Sequence, residues 1–265
     1  MLRFELTTQL IRLRTLIALI GLAAVPVAAG LSFASSAGHR NGDQGGLFGA
    51  SPYSALNHAM ASLEFIGPLL LPIVVALLAA TIASADRDWG ILRYLYVAPV
   101  SRARLLAAKL GATAIATLIA LACVVGAGLI AGLAIFGWHP FHIIDAPNLT
   151  AGDTAGRVLA ATGYNLLCML AMAAIAFALG LLLPRGAEAL AVAVAFVVTA
   201  SIVNGQSALH VVAVALPVHY WQNWVGLFDP AGASEMWLGV VVQVAWIVGC
   251  IAGCWAILGR RDPAA

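Results

Sequence analysis

Charge is what this sequence has least of. Only 9% of its 265 residues are Asp, Glu, Lys or Arg, whereas a soluble domain carries about 25%. A fold of this size cannot cover its surface with so few, which excludes a soluble globular protein and a charged disordered chain. Lysine occurs once, at Lys109, preceded by Ala107 and Ala108, so the G-x-x-x-x-G-K-[ST] loop that cradles nucleotide phosphates is missing. Cysteine is also scarce. Cys123, Cys168, Cys250 and Cys254 all lie in apolar runs, which excludes a secreted disulfide framework and leaves packing as their default role. Cys250 and Cys254 share a helix face, but no His or second Cys pair accompanies them for a metal. In place of charge there is hydrophobicity: 63% of residues, with a mean hydropathy of +1.00.

A spanning helix needs about 20 mostly apolar residues. Six such runs occur, Thr15–Ala37, Ser62–Ser84, Leu110–Phe136, Val158–Leu183, Ala187–Gly205 and Met236–Leu258. The expected fold is therefore an all-α polytopic membrane protein with six transmembrane helices in a single domain over 1–265. Of the charged residues only Glu64 and Glu188 fall inside these runs, each within two residues of an end, so no ionisable residue is expected at mid-membrane. With the N-terminus inside, the cytoplasmic segments hold eleven of the thirteen Lys and Arg residues, and the outer ones only Arg40 and Arg157. Positive charge in short loops stays in the cytoplasm, so both termini are expected inside. The first run exceeds the apolar core of an ordinary secretory signal, and the leading segment is expected to be retained.

That leading segment, 1–14, places Leu2, Leu6, Leu10 and Leu13 on one helical stripe, with Arg3, Arg12 and Arg14 largely off it. It reads as an amphipathic interfacial helix or as a positively charged flank of the first span. On the outer side, 38–61 is rich in Gly, Ser and Asn and reads as a connector, while Pro140 and Pro147 interrupt any helix through 137–157. The segment 206–235 holds an apolar stretch too short to span. Tyr220, Trp221, Trp224 and Phe228 follow at near-helical spacing, which reads as two short helices dipping into the outer leaflet. All six histidines, His39, His58, His139, His142, His210 and His219, fall on this side. They form either a metal- or pH-sensing surface or simply the tolerance of interfacial loops for histidine; no spacing among them demands a metal.

Seven of the 24 charged residues cluster in one cytoplasmic stretch, Asp86 to Lys109. Trp89, Leu92, Leu95 and Tyr96 make an apolar stripe, Pro99 ends that short helix, and Ser101 is placed to cap the next. By physics alone, the basic face meets anionic lipid or an acidic protein surface. With Asp88, Gly90, Arg93, Leu95, Pro99, Arg102 and Lys109 in this order and spacing, the stretch resembles that of the ABC-2-type permeases, the membrane subunits of ATP-binding-cassette exporters. It departs from them in Asp88, where Glu is usual, and in Ile91, where Thr is common. The whole layout is similar too, from amphipathic N-terminal helix to membrane-dipping helices before the last span.

The resemblance implies that 86–104 is a coupling segment. Asp88, Trp89, Gly90, Arg93, Leu95, Pro99, Arg102 and Lys109, with the elbow residues Arg3, Glu5, Arg12 and Arg14, would meet a nucleotide-binding subunit. It implies two copies of that ATPase, a second permease chain, identical or related, and ATP and Mg bound by the partner, with no cofactor on this chain. Membrane lipid is an expected partner; nucleic acid is not, and no residue is assigned a catalytic or metal-ligating role. Tyr164, Asn165, Thr199, Ser201, Asn204 and Gln243 are the polar candidates for a pathway, each equally a source of hydrogen bonds between helices. Pro26, Pro68 and Pro72 are expected to loosen the first two spans, and Gly128–Gly132 and Gly249–Gly253 to permit close helix approach. The expected activity is export of an amphipathic, lipid-like, drug or peptide substrate. The alternatives are a secondary transporter or channel, for which inverted repeats and intramembrane charge are missing, and an intramembrane hydrolase, for which a nucleophile-base set is missing.

Overall fold

The computed structural model describes residues 2–35, 46–88, 102–143, 149–229 and 236–260. Among these residues the α-helices are α1 Leu2–Leu10, α2 Leu13–Ser35, α3 Gly46–Gly49, α4 Ala55–Ile66, α5 Leu70–Asp88, α6 Arg102–Ile135, α7 Ala151–Leu182, α8 Gly186–Asn204, α9 His210–Ala213 and α10 Met236–Arg260. Among the described residues there is no strand. Helices α2, α6, α7, α8 and α10 are each long and apolar enough to cross a bilayer, and α4 with α5 forms a bent sixth candidate. The protein is an all-α polytopic membrane protein.

The expected second span, Ser62–Ser84, is not one straight helix. Helix begins earlier, at Ala55, where Ser54 accepts from the Asn57 amide as N-cap. It stops at Ile66, and the chain turns by 67° before α5 resumes. Pro68 accounts for the break, because it supplies no amide hydrogen to the carbonyl of Glu64 and its ring clashes with that turn. Pro72 falls in the first turn of α5, where a missing amide costs little. Glu64 therefore lies in the last turn of α4, just ahead of the bend.

Helices α6 and α7 also start earlier than their apolar runs, at Arg102 rather than Leu110 and at Ala151 rather than Val158. The runs were cut at Lys109 and Arg157, yet both residues are helical and each donates to a carbonyl of a neighbouring segment: Lys109 to Ile82 at 2.9 Å and Arg157 to Leu227 at 2.6 Å. Helix α7 starts at a Thr150 cap, whose hydroxyl accepts from the Asp153 amide and donates to its carboxylate. It ends ahead of Pro184, with Leu183 in an extended conformation.

Helix α7 is the most buried span and packs against α5, α6, α8 and α10. Small residues set the closest approaches. A Cβ on Gly180 would lie 2.7 Å from that of Ala83 in α5, and one on Gly128 or Gly132 of α6 would lie 2.9 or 2.8 Å from the Cα of Ala59 or Ala55 in α4. Gly249 and Gly253 of α10 have open space above them. The four-leucine stripe of the N-terminus does not persist either. The chain breaks at Ile11–Arg12, so Leu6 and Leu10 pack on the core while Leu13 is 73% exposed.

Candidate functional site

Two helices frame the charged stretch between the second and third spans: α5 ends at Asp88 and α6 begins at Arg102. Trp89, Gly90, Arg93, Leu95 and Pro99 lie outside the described residues, as do the side chains of Asp88 and Arg102. The base of this hairpin is described, and Lys109 holds it. Its side chain is 3% exposed, and Nζ donates to the Ile82 carbonyl across the two helices. Taking an ammonium out of water costs several kcal/mol unless it is hydrogen-bonded, and the bond to Ile82 offsets part of that cost. Directly above, Thr113 donates to the Lys109 carbonyl and Thr117 to that of Thr113, each at 2.9 Å, satisfying these buried hydroxyls within α6. On its other face α5 is pressed against Gly180 of α7. The first strut of the hairpin is thus clamped between two spans.

The elbow meets the same framework. Helix α1 packs on α6 and is tied to α2 by Thr15, whose buried hydroxyl donates to the Gln9 carbonyl at 2.9 Å. Arg12 is half-buried and, with Thr7, Thr8 and Ile11, lines an open cleft of about 370 Å³. Arg14 is exposed; Arg3 and Glu5 are helical, with side chains outside the described set.

The polar candidates in the spans do not converge. Tyr164, Asn204 and Gln243 hold the segment between α8 and α10 instead: Tyr164 donates to the Tyr220 carbonyl at 2.8 Å, Gln243 to that of Pro217 at 2.8 Å, and Asn204 pairs with His219 at 2.5 Å. Trp246 and Arg157, which the sequence did not single out, add bonds to the carbonyls of Ala215 and Leu227. The segment consists of short helical turns, Ser207–Leu209, α9, Pro217–Tyr220 and Asn223–Phe228. Tyr164 stands 13 residues into α7 and Gln243 seven into α10, so at 1.5 Å per residue the turn at Pro217–Tyr220 reaches about 10–20 Å along the bundle from the N-terminal ends of those helices. Tyr220, Trp221, Trp224 and Phe228 are buried, with Phe228 stacked on Phe141. Irregular backbone at such depth needs donors from its surroundings, and these side chains provide them. Asn165 donates to Ala161 in its own helix and lies near Gly67 at the bend, while Thr199 and Ser201 are exposed on α8.

A second buried network joins the middle of α2, the start of α4 and the segment that follows α6. His58 is fully buried, with Nε2 donating to the Pro26 carbonyl at 3.0 Å; this leaves Nδ1 as acceptor for the Ser51 hydroxyl at 2.7 Å. Asn57 pairs with both backbone groups of His142, at 2.7 and 3.0 Å, and Tyr53 packs on the His142 ring. Among the described residues no three His, Cys, Asp or Glu side chains gather as metal ligands would.

Fold and site together define a polytopic helical membrane protein in which α5 and α6 are bonded to each other beside the charged stretch. Residues 11–203 match the family model described as ABC-2 family transporter protein, and the chain belongs to that family. The match runs from the elbow break through the hairpin and almost to the end of α8. No curated protein matches the chain by sequence.

Proposed function

We propose that this chain is the permease of an ATP-driven exporter in the cell's inner or plasma membrane. Membership of the family supports the permease role and implies association with an ATP-binding subunit. In this reading two nucleotide-binding subunits hydrolyse ATP, two permease chains form the pathway, and substrate moves outward. Both termini and the 86–104 hairpin lie in the cytoplasm, following the Lys and Arg distribution.

The observation that carries this reading is the Lys109 staple. A segment that receives force from a partner needs a stiff connection to the spans, and here one buried bond joins both legs of the hairpin at its base. A push on 89–101 then moves α5 and α6 together, and through Gly180 it reaches α7. Arg93→Glu or Arg102→Glu is expected to weaken co-purification with the ATPase at least about tenfold, equivalent to about 1.4 kcal/mol. Pull-down from detergent-solubilised membranes measures it. A fully active transporter containing this chain and no ATPase would overturn the proposal.

A further inference from the structure

The break between α1 and α2 leaves an open cleft of about 370 Å³ beside the elbow, lined by Thr7, Thr8, Ile11 and Arg12. Its walls are anchored on both sides. Helix α1 packs on α6, and the buried Thr15 hydroxyl ties the start of α2 to the Gln9 carbonyl at 2.9 Å.

The lining suits an oxyanion. From Leu6 to Ile20 the chain carries Arg12 and Arg14 and no acidic residue. A guanidinium presents five donors in a planar fork, so the contacts Arg12 makes within the protein do not exhaust it. Thr7 and Thr8 add two hydroxyls whose hydrogens rotate to suit a ligand. The hydrogen-bond ladder of α2 starts at the same break, with the Leu16 amide on the Arg12 carbonyl at 3.0 Å, so the positive end of a 23-residue helix adjoins the cleft. Arginine with hydroxyl neighbours is the donor set that phosphate oxygens take.

What continues from the cleft is apolar and uncovered. Ile11 and Leu13 are 72% and 73% exposed, and Ile17 and Ile20 extend the stripe along α2 at 60% and 66%. Only 17% of the apolar window of α2 is buried, so this stripe faces lipid. A phosphate ion in water, or an acidic protein surface, has no use for such a stripe. A phospholipid meets both features, because its phosphate and its acyl chains belong to one molecule.

We infer that Thr7, Thr8 and Arg12 hold the phosphate of an anionic phospholipid whose acyl chain lies along Leu13, Ile17 and Ile20. A zwitterionic choline headgroup is disfavoured, since its ammonium is repelled by the Arg12 guanidinium. With the N-terminus in the cytoplasm, as proposed above, the cleft meets the leaflet that carries anionic lipid. Only the side of the membrane rests on that reading; binding itself needs neither export nor an ATPase.

The test uses the full-length chain in detergent micelles, with the subunits that co-purify with it. Fluorescence anisotropy follows phosphatidylglycerol labelled on one acyl chain, and unlabelled lipids or inorganic phosphate compete. Phosphatidylglycerol is expected to compete at least about tenfold better than phosphatidylcholine with the same chains, and inorganic phosphate not to compete. Arg12→Gln is expected to weaken binding at least about tenfold and Thr8→Val about threefold. Arg14→Gln removes the same charge outside the cleft and is expected to weaken it less than about threefold. Arg12→Lys is expected to keep the preference for phosphatidylglycerol, so the site stays testable even if Arg12→Gln fails to fold.

Equal competition by the two lipids, or equal losses in Arg12→Gln and Arg14→Gln, overturns the site. Inorganic phosphate competing as well as phosphatidylglycerol overturns the lipid as occupant in favour of the free anion. Unchanged lipid binding in Arg12→Gln, with loss of ATPase co-purification, gives the cleft to the partner protein and overturns the inference. Arg12-dependent phosphatidylglycerol binding without ATP-driven efflux of any probe leaves the site standing and overturns the export reading alone.

Discussion

At the scale of single residues, the informative side chains are those whose polar atoms are matched across elements. Replacing Lys109 by Met removes both the buried charge and its bond to Ile82. The aliphatic stem keeps its volume, and exchanging a buried ion for an apolar side chain is often neutral for stability. The expected outcome is an assembled, folded complex whose ATP hydrolysis no longer rises with substrate, measured as stimulated against basal ATPase rate in proteoliposomes. Asn57→Ala has the opposite character. It strands the amide and carbonyl of His142, each of which costs about 1–3 kcal/mol when left unmet, so a lower melting temperature is expected in a detergent thermal-unfolding assay. Residue types and spacing marked Lys109, Tyr164, Asn204 and Gln243 as polar positions of consequence. They did not reveal which groups these side chains reach, because those partners lie 15 to 56 residues away in the chain. The early start of α4 at Ala55 was hidden for a different reason: hydrophobic runs locate lipid-facing length, not helix length.

At the scale of elements, the helices were legible where composition and hydrogen bonding stop together. The ends of α8 coincide with polar punctuation, and Pro68 signalled trouble in the second span. The early starts of α6 and α7 were hidden, since a buried Lys or Arg that reaches a carbonyl does not end a helix. The two glycine pairs separate in the same way. Both have small-xxx-small spacing, yet only Gly128–Gly132 faces a neighbouring helix in the chain. Gly132→Leu would push against the backbone of Ala55, and overpacking of this kind costs about 1–3 kcal/mol. A fall in melting temperature is expected for Gly132→Leu and none for Gly249→Leu, with both variants compared in the same detergent.

At the scale of the whole molecule, sparse charge and its lopsided distribution were enough to establish a multi-pass helical protein, and the order of charged residues near the second span pointed to the family. Sidedness is testable directly. In a background with the four native cysteines replaced by alanine, Ser207→Cys is expected to react in intact cells with a membrane-impermeant thiol reagent. Ser101→Cys is expected to react only after permeabilisation; the reverse pattern would invert the topology.

Helix α6 has one more consequence. Its 34 residues extend about 51 Å at 1.5 Å each, against a hydrocarbon layer about 30 Å thick. Up to about 20 Å of it therefore extends past the hydrocarbon, and because Lys109 lies on the same unbroken helix as Arg102, a displacement of the helix's first turn is carried into the bilayer as the movement of one rod.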